Sequence, residues 1–167
     1  MDRRTWSSRL SAVLVYLRRL MPWDPHWTAR PGERRHTVSS DKERGLQARR
    51  AENAVAFRLF WQGHRILARN LRNREGELDV VARKGRRLVF VEVRSYRQGT
   101  ARPSGRLGLA KRRRLLRAVE RFLSRRPALA ELDRVIQIAE VCFDDRGRVV
   151  DIGFLAVDYS DLRALRP

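Results

Sequence analysis

Two neighbouring apolar segments of the sequence carry charged side chains at alternate positions. Glu77 and Asp79 alternate with aliphatic residues in the first segment, and Glu92 and Arg94 do so in the second. Because successive side chains of a β-strand point to opposite faces, the two members of each pair share one face of their strand. A carboxylate buried without a partner is destabilising, and carboxylate oxygens are ligands that suit Mg²⁺ or Mn²⁺. The two segments therefore predict a cation site on a pair of strands.

The spacing between the segments can bring Asp79 and Glu92 onto one ion. They lie thirteen residues apart with a tight turn between them, and paired strands run about 4.8 Å apart. Arg94 shares a face with Glu92, where its cation could meet a phosphate, and Glu52 on the preceding helix could add a third carboxylate. In such a set the metal activates water and the arginine holds the phosphate, which is the chemistry of phosphodiester hydrolysis.

Structural roles for the same residues stay open on spacing alone. Asp79 and Glu92 can be strand-edge acids that pair with neighbouring arginines, with Glu77 a structural acid beside them. Glu52 can form a salt bridge instead of binding a metal, and Arg94 can serve only to neutralise Glu92. The spacing therefore allows both a metal site and a set of ion pairs.

The hydrophobic pattern predicts one α/β domain with a mixed β-sheet flanked by helices. Gly63 and Pro127 are the predicted ends of its two helices. On the second helix, Lys111 aligns with the apolar stripe, so it is either a residue of the site or a lysine that snorkels at the helix start. The predicted order is α-β-β-β-α-β-β, with helices over 46–62 and 109–125 and strands over 64–70, 77–82, 87–94, 135–143 and 149–157.

The charge distribution predicts a polyanionic partner. The chain has 38 Lys+Arg against 19 Asp+Glu, a formal net charge of +19, and residues 101–126 hold ten basic residues and one acidic residue. Such an imbalance attracts nucleic acid or an anionic membrane surface. Nucleic acid is the better match because the positive charge peaks just after the acidic strands. The residues expected to contact it are Arg69, Arg72, Arg94, Arg112 and Arg113.

The first 44 residues are predicted to form an extension to the domain. An amphipathic helix over 1–22 and a linker with weak order precede a domain over 45–160 and a tail over 161–167. No apolar run approaches the roughly 20 residues of a membrane span, and the single cysteine, Cys142, excludes an internal disulfide. These features predict a cytoplasmic protein with no integral membrane segment. A membrane-associated accessory protein that uses the 1–22 helix is the weaker alternative.

Several motifs, taken together with their spacing, carry a family resemblance over residues 45–157. They closely resemble the UPF0102 (YraN-like) family, which is similar to the restriction-endonuclease-like nucleases with the pattern D…(D/E)xK and to archaeal Holliday-junction resolvases. The residues that carry the resemblance are Glu52, the run Gly63-His64-Arg65-Ile66-Leu67-Ala68-Arg69-Asn70-Leu71-Arg72, the run Gly76-Glu77-Leu78-Asp79-Val80-Val81, the run Phe90-Val91-Glu92-Val93-Arg94, and Lys111.

The resemblance implies a restriction-endonuclease-like fold in which Asp79 and Glu92 hold Mg²⁺ or Mn²⁺ and Glu52 is the helix-borne acid. Arg94 stands where the nucleases have a lysine. Arginine can hold a phosphate with two hydrogen bonds but cannot lose its proton to act as a base. Lys111 is then the candidate substitute for that lysine. By analogy with the resolvases, a homodimer is also expected.

The function expected from these observations is metal-dependent hydrolysis of phosphodiester bonds in DNA. The predicted catalytic residues are Asp79, Glu92, Arg94 and Lys111, and the predicted metal ligands are Glu52, Asp79 and Glu92. The alternative is a nucleic-acid-binding protein that keeps a nuclease-like fold but has weak catalysis or none. Arginine in the lysine position favours that alternative.

Overall fold

The computed structural model describes residues 40–103 and 107–157. The predicted helix over 1–22 and the predicted tail over 161–167 lie outside the described residues. The helices are α1 (Ser40–Trp61), α2 (Leu109–Ser124) and the single turn α3 (Pro127–Ala130), and the strands are β1 (Arg65–Asn73), β2 (Gly76–Lys84), β3 (Arg87–Arg97), β4 (Asp133–Phe143) and β5 (Val149–Val157).

The strands form one five-stranded mixed sheet in the order β1-β2-β3-β4-β5. Neighbours are antiparallel except β3 and β4, which are parallel and are connected through α2 and α3. A parallel pair needs such a crossover because the chain must return to the same end of the sheet. The predicted α/β fold and its order of elements are confirmed, with α3 added after α2.

Several boundaries differ from the prediction, including the end of β1 at Asn73 and the start of β4 at Asp133. Helix α1 begins at Ser40, so the prediction of a linker up to residue 44 is wrong for its last residues. Strand β3 continues to Arg97, three residues beyond the predicted end, because its backbone stays paired with β4 as far as Phe143. Pro127 does follow the end of α2, but it also opens α3, since the first turn of a helix needs no donor from proline.

The end of α1 confirms the role predicted for Gly63. The glycine has φ +85°, and its N–H donates to the Phe60 carbonyl at 2.9 Å. The N–H of His64 donates to the Leu59 carbonyl at 3.0 Å. These two bonds form a Schellman motif, which satisfies the last helical carbonyls and turns the chain into β1.

The sheet is buried on both faces of its central strands. On one face, Val81, Leu88 and Phe90 belong to the apolar cluster that includes the inner side of α2. The Phe90 and Phe122 rings meet edge to face there, with centroids 5.8 Å apart. On the other face, Val80 and Val89 are buried where α1 packs against β1–β3. Alternation along the strands thus assigns one face to each helix.

Gly76 sets the distance between the β1–β2 hairpin and α2. Its φ of +155° lies in the region that favours glycine, and a Cβ at this position would lie 2.8 Å from the Arg114 carbonyl oxygen. Any larger residue would push the hairpin off the helix. The glycine therefore lets the start of β2 lie directly against α2, which brings the acidic strand residues close to the basic helix.

Candidate active site

The central feature is a fork between β2 and β3. Their backbone pairing runs from Lys84 opposite Arg87 to Val80 opposite Val91 and then stops. Asp79 and Glu92 are the next opposed positions, and they lie on the face that α2 covers. The Asp79 Oδ2 atom accepts a hydrogen bond of 2.7 Å from the Val93 N–H. The carboxylate thus takes the place of a backbone acceptor, which fixes it at the point where the strands separate.

Glu92 meets a cation from α2. It is only 3% exposed, and its Oε1 atom forms an ion pair with Nζ of Lys111. Both residues line a pocket of about 320 Å³ between the hairpin and the helix. The alignment of Lys111 with the inner stripe of the helix therefore does bring its ammonium group to the site. The full lining is Arg72, Gly76, Glu77, Glu92, Lys111, Arg114 and Leu115.

Asp79 is held in an environment that opposes its ionisation. Its pKa is raised to about 6, chiefly by burial and next by the neighbouring Glu92 carboxylate. The Val93 N–H and the Lys111 ammonium act in the opposite direction, and Glu77 adds a smaller increase. A positive charge placed between Asp79 and Glu92 would relieve the largest of the interactions between charged groups.

Glu52 approaches the same site from α1. Burial raises its pKa, followed by repulsion from Asp79, while a hydrogen bond with the Asn70 side chain lowers it. The Glu52 Oε2 atom is buried and has no hydrogen-bond partner in the described part of the chain. Asn70 has φ +50°, a left-handed conformation that asparagine tolerates better than most residues. Asn70 thus adopts a left-handed backbone conformation within β1 at the residue whose side chain hydrogen-bonds to Glu52.

The donor set fits a divalent ion held by two carboxylates. Within residues 40–103 and 107–157, no three His, Cys, Asp or Glu side chains converge on one point that could hold a metal. Mg²⁺ needs no such cage, because it commonly keeps several waters and binds through one or two carboxylates plus substrate phosphates. Asp79 and Glu92 would be those carboxylates. Glu52, with its orphaned oxygen, stays a predicted third ligand.

The predicted phosphate contacts fall into two groups. Arg72 lines the pocket and forms an exposed ion pair with Glu77 at 3.3 Å. Arg94 lies on the same face as Glu92, opposite Glu140 of β4. Arg69 contacts Asn53 of α1 through its Nη2 atom instead of lining the pocket. The structure therefore brings Arg72 to the pocket and places Arg69 against α1.

On helix α2 the residue at the pocket is Arg114. Neither Arg112 nor Arg113 is among the residues that line the pocket. Arg112 is half-buried, with its Nε atom lacking a hydrogen-bond partner among the described residues, and Arg113 is exposed. Composition alone does not distinguish the three arginines of this run. The helical spacing from Lys111 to Arg114 could have done so, because residues three apart lie on the same side of a helix.

Glu140 is a further buried acid, which the sequence analysis did not identify. It lies on the same face of the sheet as Glu92 and Arg94. It is 1% exposed, and its Oε2 atom accepts a hydrogen bond of 2.6 Å from Nε of Arg102, in the loop after β3. The guanidinium lies over Gly153, where a Cβ would be 2.6 Å from its Nη2 atom. An acidic residue inside the apolar run 135–143 is the same kind of signal that singled out Glu92, and it could have identified Glu140.

Loss of the Arg102 cation should destabilise the sheet through Glu140. We expect Arg102→Ala to lower the free energy of unfolding because it leaves the buried Glu140 carboxylate without its cation, and to do so by less than the loss of a fully buried pair because Arg102 is half exposed. The double variant Arg102→Ala/Glu140→Gln should recover most of that loss. Urea unfolding gives the comparison, and Arg148→Ala, which breaks the Arg148–Asp144 surface pair, is the control. Equal losses in the single and double variants would contradict the explanation.

In the described residues, no helix combines the length and the apolar character that a membrane span requires.

Two comparisons bear on the identity of the chain. The family model "Uncharacterised protein family UPF0102" matches residues 51–150. This match includes Glu52, Asp79, Glu92, Arg94 and Lys111, the residues that carry the site and its predicted chemistry.

Individual relatives agree with the family model. A UPF0102 protein of Synechococcus sp. (strain JA-3-3Ab) is 40% identical over 110 residues, which is 65% of this chain and 81% of the relative. One from Azorhizobium caulinodans is 47% identical over 89 residues, 53% of this chain and 65% of the relative. One from Caldicellulosiruptor saccharolyticus is 36% identical over 105 residues, 62% of this chain and 87% of the relative. The protein therefore belongs to the UPF0102 family.

Proposed function

We propose that this protein hydrolyses phosphodiester bonds in nucleic acid, with DNA as the expected substrate and Mg²⁺ or Mn²⁺ as the cofactor. The observation that carries the proposal is the fork: Asp79 and Glu92 follow the last paired residues of β2 and β3, their carboxylates are close enough to repel each other, and Lys111 meets Glu92 in the adjoining pocket. Of the two acids, Glu92 lines this accessible pocket together with the cations of Arg72, Lys111 and Arg114. A purely structural acid would not need to lie on such a pocket.

The side chains of the pocket have distinct roles in this proposal. Asp79 and Glu92 hold the ion, and the Val93 N–H keeps the Asp79 carboxylate in place. When bound, the ion supplies Lewis-acid stabilisation of the phosphate and a water that ionises easily. Arg72 and Arg114 line the entrance and attract the phosphate backbone.

Lys111 and Arg94 divide the work that one lysine does in the D…(D/E)xK nucleases. Arg94 lies beyond Glu92 on the same strand face and can hold a phosphate oxygen with two donors. It cannot exchange a proton. Lys111 can, and its ammonium group already contacts Glu92. We therefore assign phosphate binding to Arg94 and any proton transfer near the metal site to Lys111.

A cleavage assay tests the proposal. The full chain, Glu92→Gln and the control Glu131→Gln should be incubated with supercoiled, single-stranded and junction DNA in Mg²⁺, Mn²⁺ or EDTA. We expect metal-dependent cutting by the wild type and the control, and a loss of at least about 100-fold in Glu92→Gln, because a ligand of the activating ion is removed. Circular dichroism of each variant separates lost catalysis from lost folding.

The alternative function has its own outcome in that assay. The carboxylate–lysine pair and the arginine at the lysine position would both serve a module that binds nucleic acid without cutting it. Salt-sensitive DNA binding, unchanged by Glu92→Gln and accompanied by no cutting in either metal, would reject the nuclease and leave the binding module.

A further inference from the structure

A second basic pocket lies further along α2. Its volume is about 250 Å³, and four of its six lining residues are arginines. No carboxylate is among its lining residues. We call it the four-arginine pocket; its lining is Leu71, Arg72, Arg121, Phe122, Arg125 and Arg126.

The arginines of this pocket are positioned but poorly neutralised. Arg126 lies over the Phe122 ring, 4.2 Å from its centroid, and donates to the Phe122 carbonyl at 3.3 Å. Neither contact supplies a negative charge. Arg72 forms a solvent-exposed pair with Glu77 at 3.3 Å. In the described part of the chain, the guanidinium groups of Arg121 and Arg125 have no hydrogen bond or ion pair.

Helix stability alone does not account for the cluster. Cations near the last turn of a helix interact favourably with its dipole, which would explain Arg121 and Arg125. Arg72 belongs to β1, however, and its guanidinium joins the same pocket from the opposite wall. Cations gathered from two elements around one cavity repel one another, and a bound anion would relieve that repulsion. A phosphate matches best, because guanidinium groups bind its oxygens in pairs.

We propose that the four-arginine pocket binds a backbone phosphate of the nucleic acid, several nucleotides away from the bond that is cut. This inference rests on the proposed function for the identity of the polymer. Arg72 lines both pockets, so one phosphodiester backbone can pass from the first to the second. The α2 residues of the two pockets are centred about eight positions apart, which corresponds to roughly 12 Å along α2 at 1.5 Å per residue.

That separation sets the length of nucleic acid that both pockets can hold. One strand of a duplex advances about 3.4 Å per nucleotide, so roughly four nucleotides span the distance. Fragments shorter than this can occupy only one pocket. Longer fragments occupy both, and affinity should rise at that length by more than the added charge alone would give.

The test compares two variants that remove the same charge. Arg121→Gln/Arg125→Gln empties the four-arginine pocket of its two unneutralised cations. Arg65→Gln/Arg87→Gln is the matched control, because both residues are exposed and lie at the end of the β1–β3 strands away from the fork. Binding of the full chain to labelled DNA of about three, about eight and about thirty nucleotides is measured in EDTA over a range of salt concentrations.

We expect the pocket variant to lose about tenfold in affinity for the two longer DNAs, with its salt slope lowered by about 2 units. Its affinity for the shortest DNA should stay within about twofold of wild type, since that fragment reaches one pocket only. The control should keep the wild-type step in affinity with length. Inorganic phosphate, titrated by calorimetry, should bind far more weakly than DNA.

Each result that contradicts the inference is distinct from a failure of the proposed function. Equal losses of affinity in the pocket variant and the control would overturn the phosphate pocket while leaving the nuclease untouched. So would a loss of affinity in the pocket variant that is the same for all three DNA lengths. Phosphate binding as tight as DNA binding would assign the pocket to a free anion and overturn it too. A length-dependent loss of binding in a protein that cuts no DNA would support the pocket and reject the nuclease. Absence of any nucleic-acid binding by the wild type would reject both.

Discussion

Replacing Asp79 with asparagine is expected to stabilise the fold at neutral pH while removing its response to Mg²⁺. Burial and the Glu92 carboxylate raise the pKa of Asp79 from 3.8 to about 6. Asparagine carries no charge, and its side-chain oxygen can still accept the hydrogen bond from the Val93 N–H. The substitution therefore removes the repulsion and keeps the local geometry. A gain in stability from the loss of a site residue is the usual trade-off at functional sites.

The pH dependence gives this prediction its sign. Because the pKa is raised in the folded state, the folded protein binds the Asp79 proton more tightly than the unfolded chain does. The wild type therefore loses stability as the pH rises from about 4 to about 6, by up to about 3 kcal/mol for a shift of this size. The loss is complete about one pH unit above the folded-state pKa. The asparagine variant should be more stable than wild type at pH 8 by up to that amount and equal to it near pH 4.

Chemical unfolding of both proteins at several pH values measures the difference. Glu77→Gln is the control, because Glu77 lies on the same strand but is half exposed and paired with Arg72. It should change stability by less than about 0.5 kcal/mol at any pH. At a concentration of about 100 times its dissociation constant, Mg²⁺ should add about 2.7 kcal/mol to the wild type and nothing to Asp79→Asn. A pH-independent difference between wild type and variant would refute the electrostatic explanation.

Removal of the Lys111 cation is expected to have the opposite effect on stability. Lys111→Met keeps the apolar length of the side chain but leaves the Glu92 carboxylate, only 3% exposed, without its ion pair. We expect the free energy of unfolding to fall by about 3 kcal/mol, near the lower end for a broken buried pair. The lower end applies because Lys111 is 40% exposed and water can reach part of the space it vacates.

Two further measurements separate this explanation from a simple packing defect. The double variant Lys111→Met/Glu92→Gln has no uncompensated charge and should regain most of the lost stability. Saturating Mg²⁺ should raise the melting temperature of Lys111→Met more than that of wild type, because the ion then supplies the missing positive charge beside Glu92. A double variant as unstable as Lys111→Met alone would show that packing, and not charge, is responsible.

The sequence by itself determined the elements and their order. Alternation of apolar residues predicted β2 and β5 closely, and Gly63 predicted the end of α1 because a left-handed residue is needed there. It also placed Asp79 and Glu92 on one face of neighbouring strands. These features depend on local preferences and on the two-residue period of a strand, which are written in short stretches of chain. They are therefore available without knowledge of the tertiary structure.

The tertiary structure decided which charged groups meet. The sequence has three consecutive arginines at the start of α2, Arg112, Arg113 and Arg114. The packing of α2 against Gly76 brings Arg114 to the pocket. The same packing joins Lys111 to Glu92 across nineteen positions of sequence. Such encounters depend on the rotation of a helix over a sheet, and this rotation follows from the fit of all the buried side chains together. The sequence thus determined where the acids lie, and the packing of α2 determined which cations they meet.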